Sequence, residues 1–205
     1  MLETAAVALE RCMTRTGPCP GVIHRRTILK AGFGAICLGV MSAPTAFGQG
    51  DPASMVPQEG DLLVKVGDSE LKPLSLSSLG VSGQMITAWP MEPTGRIVRS
   101  GNRLNEVLLI RLSPGELAGE TLSNSAEGVL AYSDLCTHAG CNINDWSPET
   151  RILSCDCHSS EFDSRAGGRV TAGPAQHALP PLPLRTNGDV LVVAKAFATP
   201  IRFDE

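Results

Sequence analysis

The chain has 205 residues, enough for one domain of ordinary size plus a leader. Apolar residues at 42% and charged residues at 19% exclude wholesale disorder, and a net charge of −4 offers nucleic acid no basic surface. Few aromatics (4%) beside 21 Gly and 15 Pro favour short strands and turns over long helices.

Residues 24–48 read HRRTILKAGFGAICLGVMSAPTAFG. Arg25 and Arg26 precede an apolar stretch that ends in small residues, a layout that resembles a twin-arginine export signal. Residues 1–48 are therefore expected to be a signal, removed after Gly48 or kept as a membrane anchor, with Met13 as an alternative start. Its removal takes five of the 17 Lys/Arg and two of the 21 Asp/Glu, leaving an exported part at −7, suited to a positively charged redox partner. Residues 49–60, polar and rich in Pro and Gly, read as a linker. Beyond it, short apolar runs predict strands at 62–66, 84–89, 107–112, 128–133, 151–154, 168–171 and 189–194. Pro114 suits the first position of a short helix near 113–118, and Asn187-Gly188 is a hairpin signal. The expectation is an all-β domain over 61–205 without internal repeats.

Of seven cysteines, four fall in two boxes. The first reads Cys136-Thr137-His138-Ala139-Gly140-Cys141; the second runs from Cys155 through Asp156, Cys157, His158, Ser159 and Ser160 to Glu161-Phe162-Asp163. Each box offers a mixed pair, Cys136 with His138 and Cys155 with His158, so zinc, copper and iron–sulfur chemistry are all conceivable. A zinc finger would group its ligands as Cys-Cys and His-His pairs, and a metal-free pair of disulfides would leave both histidines unexplained. Each box also has a spare cysteine, Cys141 and Cys157, and in an oxidising compartment a bridge between them would tie the loops together. His24 and His177 have no evident partner in sequence and read as leader or surface residues.

The two boxes resemble those of the Rieske iron–sulfur family, C-T-H-x-G-C and C-P-C-H-G-S-x-Y/F-D, over roughly residues 105–195. The resemblance implies an antiparallel β-sandwich-like base carrying a small cluster-binding part at about 134–178. One [2Fe–2S] cluster per chain would be held by Cys136 and Cys155 on one iron and by His138 and His158 on the other. It implies that Ser160 sets a hydroxyl against a bridging sulfide. At Phe162, high-potential members carry a Tyr hydroxyl near a thiolate. Asp156 stands where the family has Pro, and Ser159 where it has Gly. An ionised Asp156 would disfavour added negative charge, so a positive potential below the highest family values is expected. Gly173-Pro174-Ala175, followed by Pro180-Pro181-Leu182-Pro183, matches a loop that shields the cluster.

The resemblance also frames function: one-electron transfer as the iron–sulfur subunit of a quinol:cytochrome c oxidoreductase-like complex. Its partners would be a quinol-oxidising membrane subunit and a cytochrome c-type acceptor, at the periplasmic side of the membrane. An alternative is the small subunit of a periplasmic molybdenum oxidase similar to arsenite oxidase, with a molybdenum catalytic subunit as partner. Ala139 bears on this choice, because the quinol-linked type prefers a large apolar residue there. Cytoplasmic ferredoxin and oxygenase types lack the spare cysteines. A non-redox assembly or interaction protein with a structural cluster is the reading from another class.

Overall fold

A computed structural model describes residues 50–204. The expected export signal, with Arg25, Arg26, His24 and the three leader cysteines, lies outside the described residues. Among the described residues no helix is long and apolar enough to cross a membrane.

Eleven short strands dominate the described chain: β1 Leu62–Lys65, β2 Ile86–Glu92, β3 Ile97–Val98, β4 Val107–Arg111, β5 Val129–Ser133, β6 Asp145–Ser147, β7 Ile152–Cys155, β8 Ser160–Asp163, β9 Arg169–Ala172, β10 Leu184–Asn187 and β11 Val190–Val193. They form two antiparallel sheets. The larger runs β10-β11-β1-β2-β4-β5, with β3 beside β2; the smaller runs β6-β7-β8-β9. The larger sheet curls so that its far edge meets the chain leading into β10: Ser133 N–H donates to Pro180 O and Leu182 N–H to Ala131 O, both at 2.9 Å.

The all-β expectation holds, and each of the seven predicted runs lies on a strand. The expected helix near 113–118 is instead a single 3-10 turn at Pro114–Glu116, with Pro114 at its first position, and a five-residue α-helix, α1, follows at Gly119–Ser123. The hairpin is also one residue later than Asn187-Gly188. Asn187 pairs with Val190, and the loop is Gly188-Asp189, with φ positive only at Gly188 (+61°), as a type II′ turn requires.

Strands β4 and β5 explain how one chain carries both layers. Their apolar residues run without polar interruption, the mark of strands buried on both faces. Val107, Leu109, Val129 and Ala131 face the core of the base, while Leu108, Ile110, Leu130 and Tyr132 face a second core. That second core contains Cys136, Cys155, Leu153 and Phe162, so the strands form a floor beneath the two boxes. The Tyr132 hydroxyl, from the floor, donates to Ser164 O at 2.6 Å just after β8, and Trp146 Nε1 of the small sheet donates to Gly83 O at 3.1 Å in the loop before β2.

The segment 50–60, read as a linker, is packed on the base. Asp61 and Arg99, both almost fully buried, form a two-point ion pair (2.5 and 2.8 Å). Arg99 also donates to Pro52 O at 3.1 Å, and Asn105 Nδ2 to Met55 O at 2.7 Å.

Candidate metal centre

The first box is a tight loop closed on itself. Cys136 N–H donates to Cys141 O (2.7 Å) and Gly140 N–H to Cys136 O (2.9 Å). At its base, Asp134 O accepts from Ile143 N–H at 2.7 Å, and the Asp134 carboxylate accepts from Asn142 Nδ2. The other carboxylate oxygen of Asp134 is buried with no hydrogen-bond partner among the described residues, and burial pushes this group's pKa up to about 7. The second box is the hairpin between β7 and β8, where Cys155 pairs with Ser160. Its four loop residues are exposed, and Ser159 sits at φ +58°, in the left-handed region that Gly occupies without cost.

The structure brings the four expected ligands together at one tip. Cys136 and Cys155 are free thiols, 1% and 2% exposed, within hydrogen-bonding reach of each other. Burial raises the Cys155 pKa; the Cys136 sulfur beside it acts in the same direction, and the N–H groups of Cys157 and His158 oppose both by donating to the Cys155 sulfur. The His138 and His158 rings stand edge to face, their centroids 4.6 Å apart. His158 is exposed and His138 half-buried, and His138 Nδ1 is buried with no partner among the described residues.

Cys141 and Cys157 are joined by a disulfide. Their sulfurs lie within 4.8 Å of that of Cys155, so the bridge rests against a buried thiol. An orphaned buried ring nitrogen costs stability unless something uses it, and the two buried thiols beside each other offer two more donor atoms to the same occupant. Two soft sulfurs inside and two imidazoles outside are the donor set of a mixed-ligand [2Fe–2S] centre, and the residues fit that group.

The residues expected to tune and shield the centre fall around this tip. Ser160 is fully buried, and its Oγ accepts from Ala175 N–H at 3.2 Å, leaving its own proton free to donate. Phe162 is fully buried in the core shared with Cys136 and Cys155. Asp156 is exposed; its carboxylate accepts from Asn144 Nδ2 (2.7 Å) and its N–H donates to Asn144 Oδ1 (3.0 Å), so its charge faces solvent. Gly173 lies flat on the second loop, where a Cβ would come within 2.4 Å of Ser159 O and Ser160 Cα. Pro174 is exposed, and the buried residue of this covering loop is Ala175. Sequence reasoning placed Ala175 in the shielding loop but not as its buried residue, and it missed the partner of His177: Asp204, whose Oδ1 is 3.6 Å from His177 Nε2. No local pattern marks either residue, since both act through contacts distant in the chain.

The family model described as the Rieske [2Fe-2S] domain matches residues 105–183. The chain is 37% identical over 134 residues to the cytochrome bc1 complex Rieske iron-sulfur subunit of Streptomyces lividans, covering 64% of this chain and 77% of that protein. The protein of the same name from Streptomyces coelicolor is also 37% identical over 134 residues, but the match spans only 37% of its length. A putative respiratory nitrate reductase subunit Rieske of Haloferax mediterranei is 33% identical over 113 residues, covering 55% of this chain and 48% of that one. A donor set of two buried sulfurs and two outward imidazoles, inside a matched domain of this description, leaves one conclusion: the chain belongs to the Rieske [2Fe–2S] family and takes a [2Fe–2S] cluster as its cofactor.

Proposed function

We propose that the chain carries single electrons outside the cytoplasm as the iron–sulfur subunit of a quinol:cytochrome c oxidoreductase-like complex. The carrying observation is the asymmetry of the tip: Cys136 and Cys155 are sealed in the core while His158 is exposed and His138 half so. Cys136 and Cys155 would hold one iron, and His138 and His158 the other. A bound [2Fe–2S] cluster supplies a reversible one-electron couple, at a potential that two imidazoles raise well above that of four-thiolate centres. The chain's own residues then do three things. The imidazole edges give a partner its point of approach. The Ser160 hydroxyl favours the reduced form by donating to it, the surrounding apolar core excludes water, and the disulfide holds both loops in place. The two relatives named as bc1 Rieske subunits support the choice of complex. A disulfide over the site suits an oxidising compartment, in keeping with the leader pattern.

A second reading has its own support. Ala139, exposed between His138 and Gly140, gives a quinol pocket little apolar surface, and one relative is named for a nitrate reductase. On that reading the partner is a molybdenum catalytic subunit similar to that of arsenite oxidase.

The test is a redox titration of the purified full chain followed by EPR, together with recovery of the tagged protein from membranes. A midpoint between about −150 and +300 mV is expected, with b- and c-type haem in the recovered complex. A midpoint near −400 mV would exclude histidine ligation. Recovery of molybdenum in place of haem would select the second reading.

A further inference from the structure

After β11 the chain returns across the metal centre. Ala198 N–H donates to Pro181 O at 2.9 Å, starting the segment beside the covering loop. At its end, Asp204 N–H is shared between Thr137 O (2.9 Å) and His138 O (3.2 Å). The Asp204 side chain is only 5% exposed. Its Oδ2 accepts from Gln176 N–H at 2.9 Å, and its buried Oδ1 faces His177. The Phe203 ring lies over Gly140, where a Cβ would be 3.2 Å from it. Arg103 holds the same loop from the base, donating to Gly140 O at 2.6 Å.

Three loops surround the four ligands, and two of their junctions are plain. The disulfide joins the first box to the second, and Gly173 with Ala175 joins the covering loop to the second box. The third junction, between the first box and the covering loop, is made by Thr137 Oγ1, which donates to His177 O at 2.6 Å, and by Asp204, which grips both sides. Burying a carboxylate costs free energy that only specific hydrogen bonds offset. Here the carboxylate accepts from Gln176 N–H in the covering loop, while the backbone N–H of Asp204 donates to the carbonyls of Thr137 and His138. We propose that Asp204 is a positioning residue for the metal centre: with Phe203 it forms a strap that locks the His138 loop to the covering loop. The inference rests on the reading of His138 as a ligand.

The test uses the full, cluster-loaded protein and the variants Asp204→Ala, Asp204→Asn and Phe203→Ala. The readouts are the rate at which a chelator bleaches the visible spectrum and the EPR line shape of the reduced protein. Asp204→Ala is expected to lose the cluster about tenfold faster, the scale of lost support around metal ligands, with a broadened signal. Asp204→Asn is expected to stay near wild type, because its amide oxygen still accepts from Gln176. Bleaching at the wild-type rate with an unchanged line shape in Asp204→Ala would overturn the proposal. So would faster bleaching with an unchanged line shape in both Asp204 variants, which would mark the residue as merely structural. Should Asp204→Ala fail to fold, Phe203→Ala carries the test, with faster loss expected and wild-type loss overturning it. Wild-type protein without a histidine-ligated signal would sink the functional reading instead, a separate and recognisable result.

Discussion

Ser159 adopts φ +58° without the help of a missing Cβ, and left-handed backbone costs an L-residue roughly 1–2 kcal/mol. Replacing it by Gly should stabilise the second loop by about 1 kcal/mol, read as a rise in melting temperature; a fall would mean that the serine side chain makes up for its own strain. The neighbouring Phe162 offers a different lever. A Tyr hydroxyl at that fully buried position would have to find a partner in the core it shares with both thiolates. If it bonds a ligand sulfur, Phe162→Tyr should raise the midpoint by the worth of one hydrogen bond, about 1 kcal/mol or roughly 40 mV. A lowered midpoint in the titration would refute this account of the tuning. Ser159 was legible in sequence as a departure from the family box, and Phe162 as the permitted residue that lacks the Tyr hydroxyl. The environment of Asp156 was not: only the fold shows that Asn144 binds its carboxylate and that it points to water. The exposure of Pro174 and the burial of Ala175 were hidden in the same way, because a proline-rich stretch looks alike whichever residue turns inward.

Strands β4 and β5 divide two cores with adjacent residues, which allows a clean experiment. Leu108 and Leu109 are both fully buried, yet Leu108 faces the core of the metal centre and Leu109 that of the base. Truncation to Ala should cost each about 2–5 kcal/mol in unfolding. Cluster retention under a chelator should suffer in Leu108→Ala and not in Leu109→Ala, and equal loss in both would show that the two cores behave as one. These strands were readable in sequence because an uninterrupted apolar run of four or five residues is a strong signal. Strands β6, β8 and β10 were not. β6 has three residues, β8 coincides with the end of the second box, and β10 (LRTN) carries one buried apolar residue. Such strands owe their state to their ladder partners, and a sequence window does not contain those partners.

At the scale of the whole molecule, the segment before Asp61 belongs to the domain. Composition alone marked 49–60 as a linker, since Pro, Gly and polar residues describe a free chain and a tightly bonded one equally well. What distinguishes them is the buried Asp61–Arg99 pair, whose partners are 38 residues apart. Asp61→Ala strands a guanidinium in the interior and should cost about 3–5 kcal/mol. It should also expose the 51–60 segment to proteolysis before the domain unfolds. Cleavage of that segment at the wild-type rate would show that the ion pair is not what holds it.

The seat of the Cys141–Cys157 bridge against a 2%-exposed thiol sets an order of manufacture. If Cys136 and Cys155 are the thiolate ligands, iron and sulfide would reach them while the tip is open, before the bridge and Ala175 close over it. On that reading two of the four box cysteines would stay reduced until they are loaded, and the other two would oxidise later. One compartment at one redox poise serves both demands poorly. A protein that works in an oxidising space satisfies them in turn if it is loaded first and arrives there already folded.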